Sequence, residues 1–243
     1  MDPHIYQQMR SLEDQHWWFT GRRRIVGQML GSLDLPKRAR ILDAGCGTGG
    51  NLKFLSRFGE VTGVELDDGA AALARERGAW PVLKGSLPDK MPFAGQQFDL
   101  IVLLDVLEHI DDDGASLHTL QNLLAPGGYL VLTVPAFPFL WSPHDEEHHH
   151  KRRYRAAGLQ KIIQSTGLML CYISYFNTWL FPMVAAFRLV RRVFPANEVG
   201  HDVQLPNPVV NRMLKALFSS ECYWIGRHKM PFGVSLLAVA RKT

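Results

Sequence analysis

Cysteine is scarce in this chain. Cys46, Cys171 and Cys222 are its only three, far apart and at no zinc or disulfide spacing. That excludes a disulfide-built fold and a cysteine-ligated zinc module, and an odd, sparse set suits a reducing compartment. Neither sign of charge dominates: 27 Lys+Arg stand against 23 Asp+Glu, a net +4 that argues little for nucleic acid. The opening MDPHIYQQMR lacks the basic-then-apolar order of a signal peptide, so a cytoplasmic protein is expected. There is no internal repeat and no low-complexity segment.

What is present is apolar material, 47% of 243 residues, enough for one well-packed core. Basic residues cluster at Arg22–Arg24, Lys151–Arg155 and Arg188–Arg192, either as solvated helix ends or facing an anionic partner. Between Arg155 and Arg188 the only charge is Lys161, and residues 166–187 are long enough to cross a membrane. Asn177, Thr178 and Pro182 interrupt that stretch, so it reads instead as a strand, Leu168–Phe176, followed by an apolar helix.

From about residue 40, short apolar runs alternate with helical patterns, as in a parallel α/β sheet. Strands are expected at Ala39–Leu42, Val61–Val64, Trp80–Lys84, Phe98–Leu104, Tyr129–Val134, Leu168–Phe176 and Val234–Ala240. Helices are expected through Asn51–Leu55, Gly69–Arg77, Ser116–Leu124 and Ala156–Ser165, with a turn at Pro126-Gly127-Gly128. The division is then a helical N-terminal cover at 1–38, a core at 39–177, an insertion at 178–232 and a last core strand at 233–243. The insertion holds two helical patterns, near Phe181–Phe194 and Val209–Ile225.

The most informative segment is Ile41-Leu42-Asp43-Ala44-Gly45-Cys46-Gly47-Thr48-Gly49-Gly50. Glycines at a strand end let the backbone turn sharply and approach a ligand closely. Gly45, Gly47 and Gly50 fit the dinucleotide fingerprint G-x-G-x-x-G, and Glu65 follows twenty residues after Gly45, as that fingerprint asks. Asp43 and Gly49 extend the pattern to D-x-G-x-G-x-G. A carboxylate there suits a cationic ligand and would repel a pyrophosphate. Cys46, inside the loop, reads as a small filler rather than a nucleophile.

With Phe98-Asp99-Leu100-Ile101-Val102-Leu103-Leu104-Asp105-Val106-Leu107-Glu108-His109-Ile110 and Ala125-Pro126-Gly127-Gly128-Tyr129-Leu130, the chain resembles class I S-adenosylmethionine-dependent methyltransferases, most closely the quinone-biosynthesis O-methyltransferase branch. The resemblance spans residues 39–136 and loosens beyond. It implies a Rossmann-like α/β fold with a seven-stranded sheet, its last strand antiparallel, and helices on both faces. It also implies S-adenosylmethionine as cofactor and S-adenosylhomocysteine as product. The loop Asp43, Gly45, Cys46, Gly47 and Gly49 would hold the methionine part. Glu65 would accept the ribose hydroxyls, Leu66 would pack on adenine, and Leu104 and Asp105 would flank the sulfonium. In Gly85-Ser86-Leu87 the family often carries an acid where Ser86 stands, which puts the adenine-amine contact in doubt.

The segment Trp141-Ser142-Pro143-His144-Asp145-Glu146-Glu147-His148-His149-His150 is unusual. Four histidines and three acids invite a metal reading, but residues of an extended loop point in different directions and no distant partner completes a ligand set, so no metal is expected. The resemblance suggests a loop closing over the site, with His148 and His149, and His144 behind them, as candidate proton acceptors. A hydrogen-bonded lid with no proton-transfer role is the other reading. His16-Trp17-Trp18-Phe19 reads as core, with one aromatic or Arg23 turned to the site.

The insertion offers an apolar stripe, Phe181, Met183, Val184, Phe187, Val190 and Phe194, broken by Arg188, Arg191 and Arg192. Such a helix caps an apolar pocket, lies on a membrane surface, or simply packs. The first two uses point to a small apolar acceptor such as a quinol or phenol, a fatty acid or a lipid-linked metabolite, with peripheral membrane contact and no nucleic acid. An NAD-dependent oxidoreductase or epimerase and a non-catalytic scaffold are the alternatives.

Overall fold

The structure is a computed structural model and describes residues 3–193 and 205–243. Two helices, α1 (Pro3–Leu12) and α2 (Trp17–Leu30), precede β1 (Ala39–Ala44), α3 (Leu52–Leu55), β2 (Gly59–Glu65), α4 (Asp68–Arg75) and β3 (Val82–Lys84). The second half runs β4 (Phe98–Leu104), α5 (Asp113–Leu123), β5 (Leu124–Pro135), α6 (Pro143–Glu147), α7 (Ala156–Ser165) and β6 (Met169–Phe176). It closes with α8 (Phe181–Val193), α9 (Pro208–Ser220) and β7 (Ser235–Arg241). The helices start where the side chains supply caps: Asp67 accepts from the Ala70 amide at 2.8 Å, and Asp112 from Ala115 at 2.8 Å.

One seven-stranded sheet has the order β3-β2-β1-β4-β5-β7-β6. The first five strands in that order run parallel, while β7 is antiparallel to both β5 and β6. The central strands are apolar on both faces because helices cover both. Ile41, Leu100, Val102 and Val131 meet α2 and α4 on one side, and Leu42, Ile101, Leu103 and Leu130 meet α5 and α7 on the other. The chain direction across the sheet reverses between β1 and β4, which opens a crevice at their carboxyl ends.

Several ends differ from expectation. β2 starts at Gly59 because Ala39 pairs with it. β5 starts at Leu124, since Leu124 pairs with Phe98 and the Pro126-Gly127-Gly128 turn becomes an irregularity within the strand. The helix expected over Val209–Ile225 ends at Ser220, where Glu221 turns its carboxylate toward residues 177–179. Phe194 lies outside the described residues. No described helix is long and apolar enough to cross a membrane, and the uncharged stretch at 166–187 is divided between β6 and α8.

The insertion is tied to the N-terminal cover rather than standing apart. Trp18 stacks on Phe218 of α9, ring centroids 5.1 Å apart and 3° from parallel. The helices approach at Gly21, where a Cβ would lie 2.4 Å from Phe218 Cδ1. Gly21→Val is therefore expected to lower stability by about 1–3 kcal/mol, read as a drop in Tm. An unchanged Tm would mean that α9 shifts without loss.

Candidate active site

The crevice between β1 and β4 is part of a cavity of about 1160 Å3. At one end, its wall contains the glycine loop, whose Gly45, Gly47 and Gly49 have φ of +76°, +54° and +80°, a region that favours glycine. The Gly45 and Cys46 amides both donate to the Val64 carbonyl at 2.9 Å, which fixes the loop against β2. Gly45, Cys46 and Gly47 line the cavity, with Glu65, Leu66, Ser86, Leu87, Leu104 and Asp105 beside them. Leu66 is 63% exposed at the end of β2, an apolar face turned to the cavity. Asp43 and Gly49 are not on the wall. Gly49 packs against α4, where a Cβ would lie 3.0 Å from Ala74, so its absent side chain serves close packing.

Asp43 is 1% exposed, and its Oδ2 has no hydrogen-bond partner among the described residues. Burial pushes its pKa up to about 7, with the Arg22 guanidinium opposing the rise. Glu65 accepts from the backbone amides of Gly47 at 2.8 Å, Leu66 at 2.9 Å and Asp67 at 3.0 Å. These amides hold its carboxylate at the mouth of the loop. Burial raises the Cys46 thiol well above its ordinary range, so it is an inert filler.

The N-terminal helices form one wall through Tyr6, Met9, Glu13, Trp17, Trp18, Phe19 and Arg22. The arginine that faces the site is Arg22, not Arg23. Arg22 donates to Asp105 Oδ2, while Thr133 Oγ1 donates to Asp105 Oδ1 at 3.0 Å. Successive helical side chains are separated by about 100°. Arg23 accordingly points aside and donates to the carbonyls of Gly50 at 3.1 Å and Glu13. Glu13 accepts from Thr48 Oγ1 at 2.7 Å and Arg77 Nη2 at 2.6 Å, so the end of the cover is clamped to the glycine loop. Tyr6 has its pKa pushed to about 12 by burial, then by Glu65 and Asp67.

At the other end, the histidine segment is not extended. Pro143 and a capping box between Ser142 and Asp145 start α6, which stacks His144 on His148 with centroids 4.2 Å apart. Burial, then mutual repulsion, lowers His144 to about 3; burial and then His150 lower His148 to about 4, so both are neutral near pH 7. His149 is exposed at φ +55°. His150, which the sequence did not single out, has the most defined partner: its Nδ1 lies 2.8 Å from Asp145 Oδ1. Asp145 is fully buried and gripped by Arg153 at 2.7 and 2.9 Å. Although burial works the other way, the His150 hydrogen bond and the Arg153 guanidinium hold its carboxyl well below the usual range.

The absence of a distant ligand partner, expected from sequence, does not hold. Glu108 and His109, in the 3-10 turn Leu107–His109 after β4, meet His150 across the cavity wall. No pattern within either segment announces this approach, because the two lie about forty residues apart. From the insertion, Met183, Val184, Phe187, Arg188 and Arg191 complete the wall. Arg188 is turned inward, donating to the Leu140 carbonyl and lying 3.8 Å from Asp145. Arg191 lies over the Phe187 ring at 4.7 Å.

A family model for a methyltransferase domain matches residues 15–173, and the chain belongs to that family. It is similar to a malonyl-[acyl-carrier protein] O-methyltransferase of Enterobacter lignolyticus, 31% identical over 157 residues, which cover 62% of this chain and 59% of that protein. A ubiquinone biosynthesis O-methyltransferase of Alkalilimnicola ehrlichii is 31% identical over 115 residues, 45% of each chain. The chain thus spans about half the length of the curated relatives it matches. Among solved structures, the Haemonchus contortus phosphoethanolamine N-methyltransferase 2 in complex with S-adenosyl-L-methionine superposes with TM-score 0.59 at 19% identity, over 90% of this chain and 52% of that one. That likeness is one of fold: the Rossmann-like sheet of class I methyltransferases, whose antiparallel β7 between β5 and β6 separates it from the all-parallel dinucleotide-binding sheet.

Proposed function

We propose that the protein transfers a methyl group from S-adenosylmethionine to an oxygen of a small lipophilic acceptor. The observation that carries this reading is one continuous cavity, whose wall has the glycine loop and Glu65 and also Met183, Val184 and Phe187 of α8, beside Arg188 and Arg191. The residues present fit the cofactor. Asp43, buried just before the loop with its Oδ2 unpartnered, adds a carboxyl near a cationic methionine end, the left-handed loop makes room for that end, Glu65 suits a diol, and exposed Leu66 suits a flat ring.

S-adenosylmethionine, when bound, supplies an already activated methyl group. The chain's residues then position, shield and accept a proton. Arg22 and Asp105 close the cavity over the cofactor end, and the Glu13–Arg77 clamp holds that cover down. An acceptor held in the cavity would present its oxygen to that methyl group. The acceptor's proton goes to the histidine cluster, where His148 and His149 line the cavity and His144 stands against His148.

A lipophilic acceptor is supported by Met183, Val184 and Phe187 on the wall. The outer face of the insertion leaves Leu189, Val190, Val209, Val210, Met213 and Leu217 exposed, which supports peripheral contact with a membrane from which such an acceptor is drawn. The test is calorimetric titration with S-adenosylhomocysteine, with NAD as control, followed by transfer of labelled methyl to a panel of lipophilic phenols and acids against polar amines. Micromolar binding of the nucleoside and labelling of the lipophilic set are expected. Binding of NAD alone overturns the cofactor reading, and labelling of polar amines alone overturns the acceptor reading.

A further inference from the structure

Glu108 is 1% exposed, and neither of its carboxylate oxygens has a hydrogen-bond partner among the described residues. A buried carboxylate in that state is costly, and proteins ordinarily meet it with donors or a cation. The groups facing it are imidazoles. One ligand atom each from Glu108, His109 and His150 lies within 4.8 Å of the other two. The two rings meet edge to face, centroids 4.7 Å apart and 84° from parallel.

One of the imidazoles is also held from behind. His150 Nδ1 lies 2.8 Å from Asp145, leaving Nε2 free to turn inward, and Arg153 locks Asp145 in place. A carboxylate or carbonyl behind a histidine is how metal-ligating imidazoles are oriented. All three residues line the cavity that also holds the glycine loop.

We propose that Glu108, His109 and His150 bind a divalent transition-metal cation at the acceptor end of the cavity. Two imidazoles and one carboxylate favour Zn2+, Mn2+, Fe2+ or Co2+ over the all-oxygen cages of Ca2+ and Mg2+. Metal–ligand bonds of about 2.0–2.2 Å in a tetrahedral shell place the ligand atoms roughly 3.3–3.6 Å apart, so binding draws the three together from a spread of up to 4.8 Å. The remaining positions face the cavity, where water or an acceptor oxygen completes the shell. That last role rests on the methyl-transfer reading; cation binding does not.

The test is titration of the chelator-stripped 243-residue chain with Co2+, read by its visible d–d absorption. One Co2+ per chain is expected, with affinity falling at least about tenfold in His150→Ala and in Glu108→Gln, which keeps the side chain's shape. His118→Ala, an exposed histidine on α5, is expected to bind as the parent does. No saturable Co2+ binding by the parent, or binding that both Glu108→Gln and His150→Ala leave unchanged, overturns the proposal. S-adenosylhomocysteine titrated into the same samples checks their folding. Cobalt binding without nucleoside binding would sink the cofactor reading alone, and the reverse would sink the metal site alone.

Discussion

Asp43→Asn is expected to bind S-adenosylhomocysteine about tenfold more weakly, because it removes an ionisable carboxyl from behind the cavity wall, while its stability relative to the parent improves as pH rises. The sign follows from the buried carboxyl, whose folded pKa of about 7 lies above its unfolded value near 3.8. Below pH 3.8 the group is protonated in both states and carries no penalty. Between 3.8 and 7 the unfolded chain gives up a proton that the folded chain keeps, so folding weakens with rising pH. Above 7 the penalty is complete, about 4 kcal/mol for a shift of this size. Asn cannot ionise. The stability difference between variant and parent, from urea melts, should therefore climb between pH 4 and pH 7 and then level off. A difference independent of pH would show that Asp43 is not held protonated, and undiminished nucleoside affinity would show that it does not serve the cofactor.

Glu221→Ala is expected to remove about 3–5 kcal/mol of stability, a large share of a typical domain's total. The Glu221 side chain is fully buried, and its two oxygens accept from three consecutive backbone amides, Asn177 at 2.7 Å, Thr178 at 2.7 Å and Trp179 at 3.0 Å. These amides turn the chain from β6 into α8, at a corner where Asn177 has φ +58°. Alanine leaves three amide donors, two of them buried, without acceptors, and the insertion loses its anchor to the sheet. Glu221→Gln keeps one acceptor oxygen and should fall between the two. Urea midpoints decide it: a loss below about 1 kcal/mol would mean that water replaces the carboxylate.

The parts of the fold that were legible in the sequence are those with local causes. Apart from Asp99, Phe98–Leu104 is a run of buried apolar residues too short for a helix, and it forms β4 with those bounds. Ala156–Ser165 likewise has the helix expected of it. The glycine loop could be read because positive φ at Gly45, Gly47 and Gly49 is a demand that one residue type meets. Its neighbours Glu65 and Leu66 follow from the end of the next strand, so both reach the cavity wall.

What tertiary structure alone decided involves residues far apart in the chain or neighbours that a pattern cannot separate. Arg22 and Arg23 are equivalent as sequence, but the docking of α2 on the sheet turns only Arg22 to Asp105. The histidine segment was read as extended; the cap at Ser142 winds it into α6, which brings His144 against His148 and frees His150 to meet Asp145. The approach of His150 to Glu108 and His109 depends on where β4 and β5 end in the sheet, a long-range register that no local periodicity encodes. Local propensity and spacing determined the cofactor end of this protein. The histidine part of the cavity was decided by packing, because its residues meet only after the sheet, the N-terminal cover and the insertion have closed around them.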